Sequence, residues 1–309
     1  MSSHMGFPPR YIVMSESHAA PYVSSGAFKT KSITEVVSCC LRYGFTHVEC
    51  GSGMAWAPDL LAPIRQTASH QISYLVHNYF PPHENPFVLN LATNDELILT
   101  RSLQHCRVAI DLSAELGAPF FSVHAGFAFK ANPEQLGGDL TGTTLFPLEK
   151  AHEIFVESLK TLCQYAMHKC VKLVVENNVI ARFNLISGKN RLGLCATAED
   201  ILRTYADVGS SNLGFLVDVG HLKVTAEALG FDMHKFLDTV GPYIVAFHLS
   251  DNDGLSDQNL PFDERAWFIP RLAEFPHAVM VLEAYNLEPT QIHDNCRVIV
   301  QARTRVPSV

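Results

Sequence analysis

Short runs of β-branched and aromatic residues alternate along this chain with longer stretches of helical period, and few architectures accommodate that alternation. Eight such runs fall near residues 22–25, 46–49, 72–77, 120–124, 172–176, 214–218, 244–248 and 278–283. Between them, apolar residues recur every three to four positions, which predicts helices over 32–43, 95–116, 148–168, 197–206 and 288–303. Strand–helix units in series build a parallel sheet, and eight of them close into a (β/α)8 TIM barrel; the 309 residues suffice for one such domain with several long loops. An open, doubly wound sheet would show similar alternation. The long connections, at 78–91, 125–147, 177–194 and 250–262, all follow a strand, on the face where barrel active sites are built.

Composition enters where it excludes something. With 23 Lys and Arg against 31 Asp and Glu, the formal net charge is -8, so a nucleic-acid partner is disfavoured. No run of 18 apolar residues and no charged-then-apolar leader is present, which argues against a membrane span or a signal peptide. The eight cysteines form no C-x-x-C pair, and Cys39 and Cys40 are adjacent, as in a reduced cytoplasmic protein. Met1-Ser2-Ser3-His4-Met5 reads as a cloning remnant, so residues 1–10 are set aside and the barrel is assigned to 11–309.

The second to eighth runs each end in a residue able to bind a metal or move a proton: Glu49, His77, His124, Glu176, Asp218, His248 and Glu283. Parallel strands are normally apolar on both faces, so a carboxylate directly after Leu173-Val174-Val175, Phe215-Leu216-Val217 or Met280-Val281-Leu282 is desolvated at a cost unless something positive neutralises it. A divalent cation would do so. Carboxylates mixed with imidazoles suit Mn, Mg, Co or Zn, and the absence of cysteine from these positions argues against a structural zinc site. Taken singly, each residue has a plainer reading. His77 or His124 could hold a hydrogen bond or a substrate hydroxyl, Glu49 could pair with a barrel lysine, and Lys223 could be a helix-end charge or meet an anionic substrate group. Loop aromatics such as Phe80 and Trp267 could line a pocket or pack in the core.

Four segments carry a resemblance: Val175-Glu176-Asn177-Asn178, Val217-Asp218-Val219-Gly220-His221, the run His248-Leu249-Ser250-Asp251-Asn252-Asp253-Gly254, and Leu282-Glu283-Ala284. In this order they resemble the xylose-isomerase-like barrel superfamily, which holds sugar isomerases and epimerases together with endonuclease IV; the likeness runs from about Ser24 to Asn286. It implies that Glu176, Asp218, His248 and Glu283 bind one metal, that His221 lies near substrate, and that Asp251 and Glu49, with His77, His124 and Lys223, contact substrate or a second metal. Endonuclease IV adds histidines after the third and fourth strands, matched by His77 and His124, and an Asp-x-His pair for a third zinc. Here that pair falls near Asp257-Gln258-Asn259, with Asn in place of His.

The resemblance implies a small sugar or polyol substrate, phosphorylated or not, whose isomerisation or epimerisation proceeds through an enediolate with Glu176 and Glu283 as base and acid. Lys223 or Arg265 would meet a phosphate if there were one. The alternatives are a metal-dependent phosphodiesterase and a sugar or polyol dehydratase. The loop at 250–262 carries Asp251, Asp253 and Asp257 and no basic residue, which weighs against the phosphodiesterase. A homo-oligomer stays open.

Overall fold

Successive side chains of a strand point to opposite faces, so every second residue of a barrel strand faces the interior and the others face the helices. In a computed structural model, which describes residues 20–304 apart from residue 69, residues 131–137 and residue 141, this rule accounts for two separate apolar clusters. Eight parallel strands close in chain order: β1 (Tyr22–Ser24), β2 (His47–Cys50), β3 (Ser73–His77), β4 (Phe120–His124), β5 (Lys172–Glu176), β6 (Leu213–Asp218), β7 (Ile244–Leu249) and β8 (Val279–Leu282). Inside lie Tyr22, Leu75, Phe120, Val174, Leu216, Ala246 and Val281. Outside, Val23, Val48, Val76, Phe121, Val175, Phe215 and Leu282 pack against the helices.

The expected strands all form within two residues of their predicted ends, and the fold is the single-domain TIM barrel that the alternation called for. The five expected helices appear as α1 (Ile33–Tyr43), α3 (Glu96–Glu115), α4 (Leu148–His168), α5 (Ala198–Val208) and α8 (Pro289–Thr304). Ser32 and Asp95 cap the first two through their side chains, and Thr197 with Asp200 forms a capping box on α5. Three more helices appear, α2 (Ala62–Thr67), α6 (Val219–Leu229) and α7 (Met233–Val240), and the β7–β8 connection carries a 3-10 helix, Ile269–Glu274, in place of an α-helix. Helix α6 starts without any loop, because Asp218 ends β6 and caps α6 at once. No described helix is long and apolar enough to cross a membrane. The segment read as a cloning remnant lies outside the described residues.

Candidate metal centre

Parallel register brings the strand-end residues to one level. His124 of β4 is paired with Glu176 of β5, and Asp218 of β6 with His248 of β7. The interior-facing alternation then stacks Glu49, His77, Glu176, Asp218, His248 and Glu283 above the apolar interior, each of them buried. Three groups of donor atoms result, each mutually within 4.8 Å: Glu176, Asp218, His248 and Glu283; Glu49, His77 and His248; and His77, His124 and Glu176.

The quoted segments explain how these groups are held. Asn177 clamps β5 to β6 by accepting from Asp218 N at 2.8 Å and donating to Asp218 O at 3.3 Å. Asn178 donates to the carbonyls of Ala125, Gly126 and Leu194, sewing the loops after β4 and β5 together. One Asp218 oxygen, Oδ1, accepts from His221 N at 2.7 Å, which leaves Oδ2 for the interior. Gly220 must lack a side chain, since a Cβ there would sit 2.9 Å from Ser250 Oγ. Asn252 closes the same corner by donating to Gly220 O at 3.0 Å.

The donor atoms are close but do not satisfy one another. His248 Nδ1 is 2.6 Å from Glu283 Oε2 and 3.7 Å from Glu176 Oε1, and His248 Nε2 is 2.9 Å from Glu49 Oε1. Even so, both nitrogens of His248, both oxygens of Glu49 and of Glu176, and Asp218 Oδ2 have no aligned hydrogen-bond partner. Buried polar atoms are rarely orphaned together, and a set of lone pairs converging on one volume is the signature of a cation site. The electrostatics agree. Burial, reinforced by the neighbouring carboxylates, lifts Glu49 and Asp218 above the usual carboxylate range. Burial opposes a charged His248, yet Glu283, Glu49 and Glu176 hold it well above the ordinary imidazole value. For His77, burial together with the neighbouring imidazoles of His248 and His124 outweighs the support of Glu176 and drives it down to about 3. Among the described residues, the basic partners of these carboxylates are imidazoles, with no Lys or Arg. The carboxylate–imidazole donor set therefore fits a divalent cation, and Glu176, Asp218, His248 and Glu283 are the four residues that would hold it.

The remaining sequence expectations divide. His221 is in place: Nδ1 lies 2.9 Å from Asn177 O and 3.3 Å from Glu176 Oε1, and Nε2 lies 3.3 Å from Asp257 Oδ2. His124 keeps its imidazole 44% exposed with Nε2 3.3 Å from Glu176, at the open side of the centre. Glu49 pairs with no lysine; its neighbour is His248. Lys223 is engaged by Asp251 at 2.7 Å and by Asn252 O at 2.5 Å, so the two residues proposed for substrate hold each other and the loop between them. Arg265 is taken by Asp263. The amide of Asn259 donates to Asp257 at 3.0 Å where a third-metal histidine would stand, and the three donor groups include neither Asp257 nor His221. Phe80 is core and Trp267 packs edge-on against Phe268, so neither lines the centre.

Sequence reasoning overlooked Tyr285, whose hydroxyl donates to Glu283 Oε1 at 3.2 Å. The only signal was its place two residues after a strand-end carboxylate.

Known proteins resemble this chain in sequence and in fold. A fructoselysine 3-epimerase of Shigella flexneri is 26% identical over 223 residues, covering 69% of each chain. The fold of a D-tagatose 3-epimerase-like protein superposes with a TM-score of 0.67 at 20% identity, covering 93% of this chain and all of that one. The TTHB071 protein of Thermus thermophilus, its crystal soaked with ZnCl2, gives 0.61 at 20% identity, covering 92% and 98%. The family model of the xylose isomerase-like TIM barrel matches residues 38–299, and the chain belongs to that family.

Proposed function

We propose that this protein is a divalent-metal-dependent sugar epimerase or isomerase acting on a small ketose or polyol ketone without a phosphate group. The observation that carries the reading is the buried quartet of Glu176, Asp218, His248 and Glu283, whose donor atoms converge while both oxygens of Glu176, both nitrogens of His248 and Asp218 Oδ2 have no aligned partner. The similarity to a fructoselysine 3-epimerase supports the reaction class.

When bound, a divalent cation would supply Lewis acidity to a carbonyl and its adjacent hydroxyl. Glu176 and Glu283 both border the volume on which the quartet converges, as a proton relay on the carbon beside a carbonyl requires. One carboxylate takes the C–H proton and the other returns one to the opposite face, or to the neighbouring carbon in an isomerisation. His221, held by Asn177 O, is placed to hydrogen-bond a substrate hydroxyl, and the exposed His124 offers a second contact. Phosphate is disfavoured because the cations expected to meet it are neutralised: Lys223 by Asp251 and Arg265 by Asp263.

The grouping of His77, His124 and Glu176 favours a second reading, a two-metal phosphodiesterase. The acidic mouth loop and the amide at Asn259 weigh against it. Elemental analysis of the purified protein separates the two, together with deuterium uptake from D2O into a panel of ketoses. About one Mn, Mg or Co per chain and exchange at the carbon beside the carbonyl support the epimerase. Two or three Zn and cleavage of a phosphodiester would replace it.

A further inference from the structure

The two carboxylates assigned to proton transfer have different surroundings. Glu176 has imidazoles about it, with His77 and His124 Nε2 each 3.3 Å from Oε2, and neither of its oxygens has an aligned donor. Glu283 turns Oε2 toward His248, and its other oxygen accepts a hydrogen bond from the phenol of Tyr285. A phenol is a protonated donor at neutral pH, so this contact holds the carboxylate in one rotamer.

The frame around Tyr285 is built to deliver that hydroxyl. Its backbone N donates to Asn259 O at 2.9 Å, and the following Asn286 N donates to Gly26 O at 3.2 Å. Both asparagines have left-handed backbones, with φ of 48° and 56°, so two loops are bent to meet this residue. The ring lies so close over Gly26 that a Cβ there would be 2.7 Å from ring Cε1 and 2.9 Å from Cδ1. Glycine at position 26 is thus required by the ring and not by its own backbone. At 41% exposure, Tyr285 also stays open to solvent while its hydroxyl meets the buried Glu283.

We propose that Tyr285 is a positioning residue that pins the outer oxygen of Glu283 and orients this carboxylate for both cation binding and proton transfer, with Gly26 as the slot that seats its ring. The proton-transfer half rests on the epimerase reading; the cation half does not. The test is Tyr285→Phe, which keeps the ring and removes the hydroxyl, compared with Gly26→Ala, which displaces the ring. Titration with Co2+ alone, followed by its visible absorption, should show the dissociation constant rising about 10-fold in both variants, the scale for losing a group that orients a ligand. At saturating Co2+, kcat on the ketose found for the wild type should fall about 10- to 100-fold with KM within about threefold. Unchanged Co2+ affinity and unchanged kcat in Tyr285→Phe would overturn the proposal and leave the tyrosine as packing. If the wild type exchanges no ketose proton while the variants still weaken Co2+ binding, the positioning role stands and the epimerase reading is what fails.

Discussion

The barrel interior contains two layers made by the same strands under the same burial, with opposite energetics. In the lower layer, Leu75, Val174, Leu216, Ala246 and Val281 are almost wholly excluded from water and contribute through apolar contact. Two residues beyond these along the same strands come His77, Glu176, Asp218, His248 and Glu283, joined by Glu49 from β2; all are buried, and both oxygens of Glu49 and of Glu176, Asp218 Oδ2 and both nitrogens of His248 have no aligned partner. Burial alone therefore does not predict whether a position stabilises the fold. The lower layer supplies stability, and the upper layer uses it to hold a charge arrangement that no exposed loop could keep so close.

That contrast can be broken first at its upper edge. Glu176→Gln should keep the fold and lower turnover by about 10²- to 10⁴-fold, the range for losing one proton-transfer group; unchanged activity would remove Glu176 from the mechanism. In the lower layer, Leu216→Ala should cost about 2–5 kcal/mol of unfolding free energy with metal stoichiometry intact, checked by denaturant titration and elemental analysis. Chelation should act on the upper layer only: metal at about 100 times its dissociation constant adds about 2.7 kcal/mol, so the melting point falls on metal removal in the wild type and stays put in Asp218→Asn with Glu283→Gln.

A pH-dependent effect lies outside the quartet. His105 is buried, donating from Nε2 to Asn78 O at 2.9 Å, and so accepts at Nδ1 from His83 Nε2 at 2.9 Å. Burial lowers it from 6.5 to about 4. Below 6.5 the unfolded chain takes up a proton that the native state refuses, so stability is complete above that pH and declines toward 4 at about 1.4 kcal/mol per unit at most. His105→Gln should flatten that decline in urea titrations between pH 7 and pH 4; an unchanged slope would place its origin elsewhere.

Much of the centre was legible because strand periodicity is local. A residue that ends a hydrophobic strand must face either the helices or the interior, and seven polar strand ends in succession needed a common purpose. Helices α2, α6 and α7 were harder to read for local reasons too. The first is six residues long, and the second begins inside the motif at Asp218, where one side chain ends a strand, turns an unpartnered oxygen to the interior and caps a helix. The seventh helix is a short, eight-residue segment before β7.

What the sequence determined by itself is the set of βα units and the succession of acid and imidazole residues at their strand ends, since both follow from spacings of two to four residues; closure into a barrel instead of an open sheet came from the strand pairing. What only the tertiary structure decided is who faces whom. Lys223 pairs with Asp251, Glu49 lies against His248, and Tyr285 reaches Glu283 across the slot at Gly26. Most of these contacts join residues that are far apart in the chain, and their geometry is set by loop curvature and side-chain packing, which spacing along the sequence does not encode.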